Sequence, residues 1–147
     1  MTKTVYIVYH SKTGNTKKIA EQILESFSKL KSEAIDIKLM NATDLDLEVL
    51  KTASGYIIGT PNYFSSPSGY IKVFFDELFL DKAILKGRPV FCFVSHGGSG
   101  YIEFLDSMCR WLELITVGTP IAIKGNNVTT KDLSIIENNI KEMLELI

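Results

Sequence analysis

The sequence predicts an α/β fold, a three-layer α-β-α sandwich built on a five-stranded parallel sheet. Three observations carry the prediction. Strand-like and helix-like patterns alternate along the chain and give five β–α units. The connections between them are short, as right-handed crossovers within one parallel sheet allow. The strand segments are mostly continuous apolar runs, which suits strands covered on both faces.

Taken in order, TVYIVYH (Thr4 to His10) is a β-branched and aromatic run and reads as the first strand. From Asn15 to Leu30 the apolar residues Ile19, Ala20, Ile23, Leu24, Phe27 and Leu30 recur at helical spacing. AIDIKLM (Ala34 to Met40) alternates, which predicts a more exposed edge strand, and a weaker helix follows through Leu45, Val49 and Leu50. GYIIGT (Gly55 to Thr60) is the third strand, closed by Pro61, and the next helix has Ile71, Phe74, Phe75, Leu78 and Phe79 as its inner face. PVFCFVS (Pro89 to Ser95) is the most apolar strand and is expected to be central. A helix through Leu105, Cys109 and Leu112 leads to the fifth strand within TVGTPIAIKG, broken near Gly118 to Pro120. The last helix begins near Thr130, with Asp132 suited to its N-terminus and a stripe of Leu133, Ile136, Ile140, Met143 or Leu144, and Ile147.

At 147 residues the chain is read as one domain, 1–147, long enough for a core that needs no disulfide or structural metal. Apolar residues make up 46% and charged residues 22%, a globular composition. A net charge of −1 and a pI near 6.1 argue against a nucleic-acid partner. No apolar run approaches the roughly 20 residues that span a bilayer, so no membrane insertion is expected. The lysine and apolar run at the N-terminus are too short for a secretory signal and fit a first strand better. Cys92 and Cys109 form no CxxC pair, and His10 and His96 lack zinc-ligand spacing. Free thiols in a reducing, cytoplasmic setting are the expectation.

Ligands of open parallel sheets bind beyond the carboxyl ends of the strands. Three segments that follow strand ends here are rich in small, polar or aromatic residues: SKTGNT, TPNYFSSPSG and SHGGSGY. In the first, Ser11, Thr13 and Thr16 offer hydroxyls, Gly14 permits a tight turn, and the helix from Asn15 directs its free N–H groups at the same point. Lys12 adds a charge or is simply solvated. In the second, Pro61 stiffens the strand exit and Asn62, Tyr63 and Phe64 offer a surface on which a planar group can stack, unless the rings pack onto the next helix. In the third, Ser95, His96, Gly97, Gly98 and Tyr101 sit on a loop whose glycines let backbone approach a ligand closely. Together they describe a site for a phosphorylated, planar, heteroaromatic molecule. The rival phosphate motifs GxxxxGKS/T and GxGxxG are absent. GxSxG is absent too, and His10 and Ser11 stand where a receiver-type signalling domain needs acidic residues.

These residues resemble the flavodoxin-like family. Ser11-Lys12-Thr13-Gly14-Asn15-Thr16 matches its Ser/Thr-x-Thr-Gly-x-Thr phosphate loop, and Gly59 to Leu78 is similar to the flavin-loop and helix of WrbA-type quinone reductases and their relatives. The resemblance implies a strand order of 2-1-3-4-5 and FMN as cofactor. It also implies that Ser11 to Thr16 bind the phosphate, that Pro61, Asn62, Tyr63 and Phe64 line the ring, and that Ser95, His96, Gly97, Gly98 and Tyr101 complete the site. Two roles follow: a carrier of electrons between redox partner proteins or small acceptors, or an NAD(P)H-dependent quinone oxidoreductase of the WrbA type. No acidic residue lies between Thr60 and Tyr70 or between Ser95 and Ile102, so a less negative potential for the second electron is expected than in acidic carriers. Phe104, Met108 and Trp111 form a second apolar stripe on the fourth main helix, read as part of a wide buried face or as the contact of a homodimer.

Overall fold

The computed structural model describes residues 2–147. Strand β1 (Lys3–Tyr9) leads into helix α1 (Asn15–Leu30), then β2 (Ile35–Asn41), a single helical turn (Ala42–Asp44) and the short α2 (Leu47–Leu50). Strand β3 (Gly55–Tyr63) folds back through β4 (Ser66–Pro67) into α3 (Gly69–Leu78), a further turn (Phe79–Asp81) and α4 (Lys82–Leu85). Then come β5 (Pro89–His96), α5 (Glu103–Trp111), β6 (Ile115–Thr116), β7 (Ile121–Lys124) and α6 (Thr130–Leu146).

The sheet runs β2-β1-β3-β5, with β6 and β7 both parallel to β5 at its far edge. This is the order 2-1-3-4-5 of the five β–α units, but the strands number seven among the described residues. Two local causes raise the count. The last unit's strand is interrupted at Val117 to Pro120, where the Asn139 side chain accepts from the Thr119 N–H at 3.0 Å and donates to its carbonyl at 2.8 Å. Gly118 is left-handed there (φ 62°), and a Cβ on it would lie 1.8 Å from Asn139 Oδ1. The other cause is that Pro61 does not close β3. Its carbonyl side stays in register with Ser95, and the strand runs on to Tyr63 and pairs antiparallel with β4. Proline is tolerated where the ladder does not need its missing N–H.

Side chains alternate between two cores, one on each face of the sheet. Val5, Ile7, Ile57, Phe91 and Phe93 pack under α1 and α6 against Ile19, Ile23, Phe27, Ile136 and Ile140. Tyr6, Val8, Tyr56, Ile58, Val90, Cys92 and Val94 face α3 and α5 through Ile71, Phe74, Leu105 and Cys109. Each such side chain fully buried contributes about 1.5–3 kcal/mol, which is what clamps the strand ends in place. As expected, β2 is an edge strand and β5 is interior and almost wholly buried. The start of α6 is a full capping box, with Asp132 N–H donating to Thr129 Oγ1 at 3.1 Å and Thr129 N–H to Asp132 Oδ2 at 3.0 Å.

The stripe on α5 is not a wide buried face. Met108 is buried, but Phe104 and Trp111 are exposed and pack on each other edge to face at 6.1 Å. Both cysteines are free and buried, and the contact with Cys92 together with burial pushes the Cys109 thiol up. No helix is long and apolar enough to cross a membrane among the described residues.

Candidate functional site

Register fixes where the loops meet. Tyr9 pairs with Gly59, Pro61 with Ser95, and His96 with Lys124, so the carboxyl ends of β1, β3, β5 and β7 form one rim. The loop after β1 turns at Gly14, whose φ of 97° favours glycine, and enters α1 directly. Ser11 Oγ accepts from the N–H groups of Gly14 at 3.1 Å and Lys17 at 3.2 Å. The N–H groups of Lys12, Thr13, Asn15 and Thr16 find no acceptor among the described residues. A helix start with open amides and no acidic residue in its first turn is a ready receptor for an anion.

Thr16 faces inward rather than toward this loop's mouth. It is 1% exposed and its Oγ1 lies 2.7 Å from Ser95 Oγ, itself 4% exposed. The start of α1 is thus pinned to the end of β5. On its other side Asn126 Nδ2 donates to Asn15 Oδ1 at 2.9 Å, tying the segment after β7 to the same corner.

The loop after β3 is a tight hairpin whose two turn residues, Phe64 (φ 54°) and Ser65 (φ 57°), are both left-handed. Such a turn matches the twist of its strands but normally takes Asn and Gly, so the strain is held by tertiary contacts. Asn62 Nδ2 donates to the carbonyls of Ser99 and Tyr101, both at 2.8 Å, and Ser65 Oγ lies 2.9 Å from Ser99 Oγ. The second and third rim loops are therefore bound to each other.

Between these loops opens a cleft of about 360 Å³. Thr13, Asn15, Pro61, Asn62, Tyr63, Ser95, His96 and Gly97 line it, all of them read from the sequence. Lys124 and Gly125 line it as well and were not foreseen. Only the register of β7 on β5 brings them there, and the motif that names the other loops has no counterpart after the fifth strand. Two buried polar atoms in the lining have no partner among the described residues: Asn62 Oδ1 and His96 Nδ1. Leaving such atoms unpaired costs roughly 1–3 kcal/mol each, so the wall is built for a polar ligand edge.

The remaining sequence-derived residues lie elsewhere. Ser11 and Lys12 line a neighbouring cleft that meets the first at Tyr63. Phe64 is fully exposed and Tyr101 half-exposed, and neither lines the cleft, although the Tyr101 carbonyl holds Asn62. Gly14 and Gly98 shape their loops without lining it.

Open helix amides at one end of a narrow slot, with a tyrosine and orphaned hydrogen-bonding atoms along it, define an α/β protein that holds a phosphorylated heterocycle at the rim of its sheet. A family model described as NADPH-dependent FMN reductase matches residues 4–127. The chain is 30% identical over 128 residues to a flavodoxin of Maridesulfovibrio salexigens, covering 82% of this chain and 85% of that protein. It is 37% identical over 73 residues to a flavodoxin of Clostridium saccharobutylicum, covering 50% and 44%. The chain spans about half the length of two of the curated relatives that it matches, 44% and 51%. Among solved structures, a flavodoxin from the domain Archaea superposes with a TM-score of 0.80 at 24% identity, covering 97% of this chain and 96% of that one, a likeness of fold. The chain belongs to the flavodoxin-like family of FMN-binding proteins.

Proposed function

We propose that the protein is an FMN-dependent redox carrier that passes electrons between partner proteins or to small acceptors. The observation that carries this reading is the pair of unpartnered buried atoms, Asn62 Oδ1 and His96 Nδ1, at the neighbouring ends of β3 and β5 in a slot that reaches the open amides of α1. A heterocycle with both donors and acceptors on its edge and a phosphate on its tail meets all three demands at once. The open amides of Lys12, Thr13, Asn15 and Thr16 and the Thr13 hydroxyl hold the phosphate, each contributing about 1.5–3 kcal/mol to a charged acceptor, while the Lys12 side chain lines the neighbouring cleft. Pro61, Asn62 and Tyr63 flank the ring from the β3 side and Ser95, His96 and Gly97 from the β5 side, while Phe64, Gly98 and Tyr101 belong to the loops that carry them. Bound FMN supplies the one- and two-electron chemistry, while the chain orients it and limits water.

The test is optical. The purified protein, or the protein given FMN, is expected to show the flavin bands near ~450 and ~370 nm with shifted, saturable absorbance. A colourless chain that takes up no FMN at high micromolar concentration would end the proposal.

A second reading is an NAD(P)H-dependent oxidoreductase acting on a quinone or similar acceptor, and the NADPH dependence in the family description supports its choice of donor. Anaerobic mixing with NADPH separates the two. Rapid bleaching of the bound flavin marks the enzyme, and a flavin that bleaches only with a protein donor marks the carrier.

A further inference from the structure

The cleft next to the FMN slot is the larger of the two, about 690 Å³, and Tyr63 is the one lining residue they share. Its walls come from the loop after β1 (His10, Ser11, Lys12), the start of α3 (Ser68, Tyr70) and the next turn of that helix (Val73). A space of this size suits a small organic ligand.

His10 gives it a chemical character. The imidazole is 7% exposed, its Nδ1 lies 2.9 Å from Ser68 Oγ, and its ring sits 4.7 Å from that of Tyr70 at a tilt of 42°. Ser68 is itself fixed by donating its N–H to Thr60 Oγ1 at 2.9 Å. The ring is therefore held rigidly, while Nε2 takes part in no hydrogen bond among the described residues. Burial, and then the nearby Lys12 charge, hold the His10 pKa below its ordinary value, so the ring is neutral at neutral pH and offers a directed hydrogen bond.

The electrostatics are one-signed. Lys12 is the charged residue of the lining, which has no carboxylate among the described residues. Helix α3 begins at the cleft with no side-chain cap on its first amides and no acidic residue in its first turn. The half-exposed Tyr70 and Val73 supply flat apolar surface beside these donors.

We propose that this second cleft binds a small planar aromatic carboxylate, its ring against Tyr70 and Val73 and its carboxylate toward Lys12, His10 and the first amides of α3. The site goes beyond the FMN reading and does not depend on it.

Naphthoate serves as the probe, titrated into the full chain with and without saturating FMN, with heat and histidine side-chain ¹⁵N shifts as readouts. The expected result is saturable one-site binding with Kd below roughly 1 mM, a shift of the His10 Nε2 resonance, and the same Kd with FMN present. Val73→Trp fills the cleft from an exposed helix position and should weaken naphthoate at least about tenfold while FMN binding persists. Tyr70→Ala, which removes the aromatic wall, should weaken it as well. No saturation by about 10 mM, undiminished binding by both variants, equal binding of neutral naphthylmethanol, or displacement by FMN would each overturn the proposal. FMN binding itself is read in the same titrations by its absorbance, so failure of the FMN reading is seen separately.

Discussion

Thr16 and Ser95, 79 positions apart, share a buried hydrogen bond of 2.7 Å that joins the first turn of α1 to the carboxyl end of β5. Both hydroxyls belong to loops that read as ligand-binding in the sequence, yet here one satisfies the other. The bond sets the distance between the open amides of α1 and the His96 wall of the slot.

Thr16→Val keeps the shape and leaves the Ser95 hydroxyl buried without its partner. A loss of about 1–3 kcal/mol in unfolding free energy is expected by urea titration. FMN should also bind more weakly, because the two walls are no longer tied. Thr16→Ser, which retains the hydroxyl, should recover most of both losses, and a valine variant as stable as the wild type would show that the bond contributes nothing.

Gly59 in β3 is a packing requirement. A Cβ there would lie 2.0 Å from Phe93 Cζ, in the ring that covers the glycine from β5. Gly59→Ala should destabilise by at least the roughly 1–3 kcal/mol typical of overpacking. Combining it with Phe93→Leu should recover part of that, because the clash is with one ring. Additive losses in the double variant would mean that the backbone, not Phe93, resists the methyl.

Much of the fold was legible because burial here follows periodicity. Val5, Ile7 and Tyr9 alternate with Tyr6 and Val8 between the two cores, and α1 has the bounds that its stripe implied. What escaped was set by tertiary contacts that leave no local trace. Asn139, a polar residue on the buried stripe of α6, holds the break in the last strand. Pro61 could continue β3 because β4 returns beside the two residues after it. In the site, the motif residues found their loops, but Thr16 turned out to face Ser95 and Phe64 to face solvent. Lys124 reaches the cleft only through its pairing with His96, which no motif announces.

His10 makes stability depend on pH in a stated direction. Its folded pKa lies below the ordinary 6.5, through burial first and the Lys12 charge second. Between those two values the unfolded chain binds the more protons, so the stabilising contribution is complete above about pH 6.5 and is lost as pH falls through the folded value. Urea midpoints measured from about pH 7.5 down to about pH 5 should therefore decline, and His10→Gln should flatten this slope even if it lowers stability throughout. An unchanged slope in the variant would assign the decline to other groups.

Lys124 offers the sharpest test of how the chain tunes its cofactor. It lines the slot opposite no carboxylate of the lining and is paired in register with His96. Adding electrons to FMN adds negative charge, which a neighbouring cation favours. Lys124→Gln should therefore lower the potential for the second electron, by about 60 mV if the lysine favours the reduced form tenfold. Because the charge matters and the chain length does not, Lys124→Arg should keep the wild-type value. A shift of the same size in both variants would point to altered packing of β7, and no shift in either would place the lysine's charge too far from the ring to act.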